Sequence, residues 1–240
     1  MAGNGRGSRT LSLVTRNVDA RFYAQQATRY PGPVLVLGSG DGRIAWTLAE
    51  RAERVVAVDP SAVMVEAGEQ QREGAAPEVA GRVSFMQADP RALRLPDRFA
   101  LVVAPQNALG LMSTTEELEA MLVSVRHHLA PGGAFIFDLL NPAGPRGAAR
   151  APEANPLEPL PPPRPSFMPH LRERRRRGDG GNEDKGIRRL RHRAFLPEEV
   201  DAALARTGLV ALERYGDFQG KPFEREDPLQ VAVGAAATEG

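Results

Sequence analysis

The sequence predicts an α/β fold built around a doubly wound, mostly parallel β-sheet. From Val34 onward, short β-branched runs alternate with longer amphipathic stretches, and the runs are apolar at successive positions. Strands buried on both faces of a parallel sheet show this pattern, and each strand needs a crossover helix to reach the next. Five parallel strands are predicted at Val34–Leu37, Val55–Val58, Val83–Met86, Ala100–Ala104 and Ala134–Leu139.

Helices are predicted between and after these strands from their apolar periodicity. They cover Asn17–Arg29, Arg43–Arg51, Ala62–Arg72, Thr115–Leu129 and Pro197–Thr207. The fourth of them is expected to stop before a turn at Pro131-Gly132-Gly133. Two further strands at Leu209–Tyr215 and Leu229–Gly234 extend the predicted sheet to seven.

The predicted domain organisation is a flexible tail at 1–16 followed by a single domain at 17–240. An insertion at 141–193 separates strands five and six. Its first part, 141–165, holds nine prolines and is expected to be a loop. Its second part, Arg172–Arg193, holds ten basic and four acidic residues around a turn-forming centre, which favours an antiparallel hairpin.

Composition excludes several classes of protein. The chain has 31 basic and 30 acidic residues, a net charge of +1, so it is not a general polyanion binder. It has no cysteine, which excludes disulfides and thiolate chemistry, and the spacing of its four histidines predicts no metal site. Without a signal-like start or an apolar run of about 18 residues, we expect a soluble cytoplasmic protein that does not contact membranes.

A glycine-rich turn follows the first predicted strand. Gly38-Ser39-Gly40-Asp41-Gly42 separates that strand from the helix beginning at Arg43. Glycine permits the positive φ and the close backbone approach that let a ligand lie on such a turn. The spacing differs from the Gly-x-Gly-x-x-Gly dinucleotide fingerprint and from the Walker pattern. The turn therefore indicates a nucleotide-type ligand other than NAD, unless it is an ordinary tight turn.

Two aspartates follow the next two strands. Asp59 ends the second strand, where a carboxylate can accept hydrogen bonds from both ribose hydroxyls, and its alternative role is a helix N-cap. Asp89 follows the third strand, where it suits the exocyclic amine of adenine, and its alternative role is a cap of the strand end. With the glycine turn, these acids predict a site at one edge of the sheet.

The sequence resembles the class I S-adenosylmethionine-dependent methyltransferases. Three stretches carry the resemblance: the strand and glycine turn at 34–42, Val56-Ala57-Val58-Asp59-Pro60-Ser61, and Leu129-Ala130-Pro131-Gly132-Gly133. The resemblance spans about Asp19 to Leu140. It implies a Rossmann-like, seven-stranded sheet with an antiparallel C-terminal strand and S-adenosylmethionine as the cofactor.

In such proteins the glycine turn underlies the methionine part of the cofactor, and the two acids bind ribose and the adenine amine. The leading helix, with Asp19, Phe22 and Tyr23, and the stretch at 214–218 are similar to small-molecule methyltransferases whose N-terminal helix closes over the cofactor. Plain helix packing is the alternative for Tyr23. The cofactor-binding residues that the resemblance implies are Tyr23, Gly38, Ser39, Gly40, Asp59, Pro60, Ala88, Asp89 and Ala104.

Two positions depart from the family pattern. Many relatives carry an acid where this chain has Val36, and that acid helps to hold the methionine amino group. Many relatives also donate a backbone N–H to adenine from the position of Pro90, which has none. The first departure is expected to weaken cofactor binding. For the second, either the register differs slightly or adenine loses one hydrogen bond, worth about 1 kcal/mol.

No catalytic signature is expected, because methyl transfer needs alignment and exclusion of water more than a particular side chain. Asn107, in the loop after the fourth strand, is a candidate for orienting the acceptor, or else a loop cap. His192 is a candidate base, and Asp217 is another, with a turn cap as its alternative. His127 and His128 are assigned to the last turn of a helix, where imidazole complements the helix C-terminus.

The predicted function is methyl transfer from S-adenosylmethionine to a nitrogen, oxygen or carbon atom of a small molecule. One alternative is a non-catalytic binding subunit, favoured by Val36 and Pro90. Another is an RNA methyltransferase that uses Arg172–Arg193. Aromatic residues do not interleave with those arginines, so a solvated hairpin face is the simpler interpretation. A nicotinamide-dependent oxidoreductase is disfavoured by the glycine spacing.

Overall fold

A computed structural model describes residues 7–144 and 193–237, which form a single seven-stranded β-sheet. The strands are β1 Pro33–Leu37, β2 Arg54–Asp59, β3 Val83–Gln87, β4 Phe99–Ala104, β5 Leu129–Leu140, β6 Leu209–Tyr215 and β7 Leu229–Ala236. Their order across the sheet is β3-β2-β1-β4-β5-β7-β6.

The first five strands pair in parallel, and β7 runs antiparallel to both of its neighbours, β5 and β6. This confirms the predicted sheet, including its antiparallel C-terminal strand. The carboxyl ends of β1 to β5 consequently lie along one edge, called the carboxyl edge below. Loops at such an edge hold the ligand in open α/β sheets.

Helices cover both faces of the sheet. They are α1 Gly7–Arg29, α2 Arg43–Ala49, α3 Ala62–Gln70, α4 Pro77–Ala80, α5 Thr115–His128 and α6 Pro197–Arg206, with short 3₁₀ turns at Gln71–Gly74 and Ala108–Leu111. On one face, Tyr23 of α1 and Ile44 of α2 share a buried cluster with Val36. On the other face, Leu118 of α5 and Val200 of α6 pack in a cluster with strand residues. The sheet is thus a middle layer that is apolar on both sides.

The structure corrects the predicted start of the leading helix. α1 begins at Gly7 instead of Asn17, so residues 7–16, assigned above to a flexible tail, are helical. The physical reason is that neither proline nor glycine interrupts the chain between Ser8 and Thr28. Although α1 has 23 residues, no helix in the described ranges is both long and apolar enough to cross a bilayer.

The predicted turn at Pro131-Gly132-Gly133 lies inside β5. The pairing with β4 shifts register here, from Phe99 opposite Leu129 to Leu101 opposite Ala134. Gly132 adopts a φ of +74°, which lets the extra residues bulge outward without ending the strand. The backbone is irregular at this point, as predicted, but the irregularity is a bulge within β5 and the predicted turn before the strand is wrong.

Both ends of the predicted insertion are anchored at the carboxyl edge. Asn141, directly after β5, donates from Nδ2 to the carbonyl oxygens of Arg225 at 2.8 Å and Asp227 at 2.7 Å. The backbone N–H of Arg193 donates to the carbonyl of Gly110 at 2.7 Å. The Pro-rich loop and Arg-rich hairpin predicted between them lie almost entirely outside the described residues and stay predictions.

Candidate cofactor site at the carboxyl edge of the sheet

The glycine turn leaves the carboxyl end of β1 in left-handed backbone conformations. Gly38 has a φ of +71° and Gly40 a φ of +55°, values that residues with a side chain rarely adopt. The N–H groups of Gly38 and Ser39 donate to the carbonyl of Val58 at 2.9 and 3.0 Å. These bonds tie the turn to β2, so the start of α2 and the end of β2 face the same space.

An open position lies above Gly40. A Cβ atom placed on Gly40 would meet nothing nearer than the Gln106 side-chain amide, at 4.0 Å. Ser39, only 2% exposed, keeps its hydroxyl buried without a hydrogen-bond partner. A buried polar atom without a partner costs about 1–3 kcal/mol, and a bound ligand removes that cost. The turn therefore fits a polar ligand that approaches the backbone closely.

Asp59, at the end of the neighbouring strand β2, accepts a hydrogen bond from the glycine turn. Its Oδ2 accepts from the N–H of Gly40 and its Oδ1 from the N–H of Ser61, both at 2.9 Å. Burial raises the pKa of the Asp59 carboxyl, and the two backbone donors offset part of that rise. Each carboxylate oxygen has a further lone pair, so both can also accept from neighbouring hydroxyls. Asp59 is in position both to hold the turn and to bind a diol.

Asp89 lies two residues beyond β3, and its carboxylate is engaged by a side chain. Arg91 donates to it from Nε at 3.0 Å and from a terminal nitrogen at 2.7 Å, and also bridges to Glu117. Hydrogen bonds from Arg91 hold the pKa of the Asp89 carboxyl below its ordinary value. The Asp89 side chain is still 41% exposed, so an amine at this edge would share the carboxylate with Arg91.

A buried aspartate on β5, which the sequence reasoning missed, organises the loop after β4. Asp138 accepts from the Tyr23 hydroxyl at 2.6 Å and from the N–H groups of Gln106 at 2.7 Å and Asn107 at 2.9 Å. Burial raises its pKa to about 6, against the lowering effect of these donors. Gln106 and Asn107 both have positive φ, 59° and 61°, so the carboxylate holds two strained residues in place.

The sequence contains one signal for this site. Asp138 interrupts the otherwise apolar run Phe135-Ile136-Phe137 and Leu139-Leu140, where a charge needs buried partners. Which partners it has depends on contacts with α1 and the β4 loop, and the sequence pattern contains no information on those.

A second group that the motifs did not identify joins α1 to the glycine turn. Arg43 donates two hydrogen bonds to Asp19, from Nη1 to Oδ1 at 2.9 Å and from Nη2 to Oδ2 at 2.5 Å. In the orientation that these donors select, the Gln106 amide oxygen accepts from Arg43 Nε at 3.2 Å and Nη2 at 2.7 Å. The pair therefore borders the open position above Gly40.

The predicted cofactor-binding residues converge on this edge from four strands. Gly38, Ser39 and Gly40 follow β1, Asp59 ends β2 and Pro60 follows it, Ala88 and Asp89 follow β3, and Ala104 ends β4. Tyr23 differs from these residues because it lies on α1 and is fully buried. Its hydroxyl donates a hydrogen bond to Asp138, and burial raises the pKa of Tyr23.

Of the three candidates for catalysis, two make hydrogen bonds within the protein and one lies outside the described residues. Asn107 is buried, and its Oδ1 accepts from the N–H of Leu140 at 3.0 Å. Asp217 accepts from the N–H groups of Gln219 and Lys221, which matches the turn-cap alternative. His192 lies outside the described residues.

The two histidines assigned to a helix end lie where expected, in the last turn of α5. His128 is fully buried, and burial lowers its pKa. Its Nδ1 contacts the Ser124 carbonyl at 2.7 Å, and its Nε2 accepts from the N–H of Leu95 at 2.9 Å. His128 thus supports the loop before β4. No group of three or more His, Asp or Glu within the described residues is arranged to hold a metal ion.

The described residues combine a mostly parallel sheet whose β7 is antiparallel with a glycine turn after β1 and an acid that ends β2. Residues 34–133 match the family model described as "Methyltransferase domain". The predicted resemblance to methyltransferases is thus confirmed over residues 34–133.

Known methyltransferases are similar to the chain in part of its sequence or in its fold. It is 36% identical over 110 residues to the cypemycin N-terminal methyltransferase of a Streptomyces species, a match that covers 46% of this chain and only 42% of that protein. The structure of the CcbJ methyltransferase from Streptomyces caelestis superposes with a TM-score of 0.70 at 24% identity, covering 92% of this chain and 96% of the other. The glycopeptide N-methyltransferase MtfA, solved with S-adenosyl-L-methionine, gives 0.63 at 22% identity, covering 91% and 93%.

Proposed function

We propose that the protein is an S-adenosylmethionine-dependent methyltransferase that methylates an amine nitrogen of a small molecule or peptide. The observation that carries the proposal is the hydrogen bond from the Gly40 N–H to Asp59, next to the Ser39 hydroxyl that has no partner. It combines a diol acceptor with a backbone cradle, which is what an adenosyl ligand requires. The nitrogen acceptor is supported by the names of two relatives, an N-terminal methyltransferase and a glycopeptide N-methyltransferase.

The residues at the carboxyl edge divide the binding work. Asp59 would hold the ribose hydroxyls, with Pro60 beside it, and Asp89 would take the adenine amine in place of part of its pairing with Arg91. The turn from Gly38 to Gly40 would lie under the methionine part. Ala88 and Ala104 offer small side chains at the ends of their strands, and Tyr23 supports the β4 loop through Asp138.

The bound cofactor supplies a methyl group on a positively charged sulfur. The protein must align the acceptor with that methyl group and exclude water. Asp138 contributes indirectly to aligning the acceptor, because its hydrogen bonds to Gln106 and Asn107 fix the loop that faces the site. A neutral amine needs no protein base before the bond forms, so the buried environment of Asn107 is compatible with the proposal. The same proposal places the enzyme in the cytoplasm, where the methyl donor is made.

Calorimetric titration of the protein with S-adenosylmethionine and S-adenosylhomocysteine tests the proposal. We expect micromolar binding, weakened about 100-fold in Asp59→Ala, because hydrogen bonds to a charged group contribute about 1.5–3 kcal/mol. Asp97→Ala is the matched control, since Asp97 is an exposed acid paired with Arg54. A mass-spectrometric screen of primary and secondary amines then identifies acceptors by a gain of one methyl group.

The outcomes separate the proposal from its alternatives. If the wild type binds neither ligand, the protein is not a methyltransferase and the non-catalytic subunit gains support. If it binds RNA in a salt-sensitive manner that replacement of Arg174–Arg177 abolishes, nucleic acid becomes the acceptor class. Arg193, the described member of that basic segment, already pairs with Glu199 and stacks on Phe195, which does not favour a role in binding phosphate.

A further inference from the structure

The segment between β3 and β4, residues 88–98, carries Asp89 near its start and consists of turns and irregular backbone. Three of its residues bond to three residues of α5. The pairs are Arg91 with Glu117 at 2.5 Å, the Leu93 carbonyl with the Ser124 hydroxyl at 3.4 Å, and the Leu95 N–H with His128 at 2.9 Å. Helix residues seven and eleven positions apart share a face. The segment therefore runs along one face of α5, from its first turn to its last.

His128 accepts the Leu95 bond in one defined protonation state. Its Nδ1 lies 2.7 Å from the Ser124 carbonyl, which can only accept, so the proton is on Nδ1 and Nε2 is the acceptor. The side chain is fully buried, and burial lowers the pKa of His128. The nearby groups that titrate or carry charge lower this pKa further: His127, Arg94 and Arg98. His128 is consequently a neutral acceptor for the Leu95 N–H.

Arg91 connects α5 to the carboxylate of Asp89. The Arg91 N–H donates to Asp89 Oδ1 at 2.9 Å, and Arg91 Nε lies 3.0 and 3.1 Å from the two carboxylate oxygens. The Nη1 atom of the same guanidinium donates to Glu117 on α5. Because the donors of a guanidinium point in fixed directions, these bonds hold the carboxylate in one orientation. Each carboxylate oxygen has two lone pairs and the Asp89 side chain is 41% exposed, so it can still accept from a ligand.

We propose that His128 is a positioning residue for base recognition, which holds residues 88–98 on α5 so that Asp89 meets the exocyclic amine of the cofactor. The inference rests on the proposed function, which assigns that amine to Asp89. His128 acts without touching the cofactor, through Leu95, which lies six residues after Asp89. Its effect is on selectivity. A hydrogen bond depends on direction, so a carboxylate held in place distinguishes a base with the amine from a base without it.

A purely structural role for His128 predicts a different result. The His128 ring also packs near Phe99 at the start of β4, with ring centres 6.2 Å apart. If the ring only filled this space, its replacement would lower stability and weaken every ligand alike. The positioning role requires a selective loss, because only a ligand with the amine uses Asp89.

The test compares two ligands in calorimetric titrations of the full chain: S-adenosylhomocysteine and its 6-deamino analogue, in which hydrogen replaces the exocyclic amine. We expect the wild type to prefer S-adenosylhomocysteine about tenfold or more, the effect of a hydrogen bond to a charged group. In His128→Leu this preference should fall below about threefold, while the analogue binds within about twofold of wild type. His128→Gln should keep the preference, because its Oε1 can accept from the Leu95 N–H. His127→Leu is the matched control and should change neither affinity.

Glu117→Gln covers the case in which His128→Leu fails to fold, which urea denaturation detects. It weakens the hold on Arg91 from a side chain that is 33% exposed, and the preference should fall at least about twofold. An unchanged preference in every variant that folds, equal losses for both ligands, or a loss in His128→Gln as large as in His128→Leu contradicts the inference. None of these results affects the proposed function. A wild-type protein that binds neither ligand contradicts both.

Discussion

Two regions of the carboxyl edge are built in different ways. In the glycine turn, Asp59 binds Gly40, which follows the adjacent strand 19 residues earlier, and Ser61, two residues later. In the β4 loop, Asp138 binds Gln106 and Asn107 and also a tyrosine hydroxyl 115 residues away. The first region depends on local backbone geometry and the second on tertiary contacts. We therefore expect changes in the first to affect binding and changes in the second to affect stability.

The largest effect is expected for Asp138→Ala. The substitution leaves the Tyr23 hydroxyl and two backbone N–H groups buried without an acceptor, at about 1–3 kcal/mol each. Allowing for partial relaxation, we expect the free energy of unfolding at pH 7 to fall by about 3–5 kcal/mol. Urea denaturation measures this loss. Asp97→Ala, in an exposed ion pair, should cost less than about 1 kcal/mol, and similar losses in both variants would contradict the distinction.

The second effect is a dependence of stability on pH. The pKa of Asp138 is raised from 3.8 to about 6 in the folded protein, so the folded state binds this proton more tightly than the unfolded state. The contribution of this proton to the free energy of unfolding is then fully present below about pH 4. It falls by about 3 kcal/mol as the pH rises through 6.

Denaturation of the wild type and of Asp138→Asn between pH 4 and 7 isolates this contribution. The amide that replaces the carboxyl group cannot titrate, so the stability of the wild type relative to this variant should decrease as the pH rises. A relative stability that grows with pH would show that the carboxylate is stabilised in the folded state, contrary to the effect of burial.

The smallest effect on stability is expected for Gly40→Ala. The added Cβ has room, so the cost comes only from the φ of +55° and should be about 1 kcal/mol. The methyl group would nevertheless occupy the open position, and S-adenosylhomocysteine binding should weaken. Parallel denaturation and titration check both effects. A large loss of stability with unchanged binding would show that Gly40 contributes to stability, as the β4 loop does, and not to ligand binding.

The same contrast explains what the sequence could predict. The strands, the antiparallel β7 and the placement of Gly38, Asp59 and Asp89 at one edge follow from apolar runs, short-range spacing and the family resemblance. The partners of Asp138, and the Asp19–Arg43 pair, depend on where α1 packs, which periodicity does not specify. The Arg91 side chain on Asp89 and the bulge at Gly132 are local, yet they depend on a rotamer and a register that composition leaves open.

The anchoring of residues 141–144 and Arg193 at the carboxyl edge has an evolutionary consequence. The chain leaves the sheet after β5 and rejoins it before α6 at fixed hydrogen bonds, to Arg225 and Asp227 at one end and to Gly110 at the other. Because the pairing of β5 with β7 is set outside the intervening stretch, that stretch can be lengthened, shortened or exchanged while the sheet register is preserved. Related genes can therefore differ in the length of this stretch without selection having to repair the scaffold.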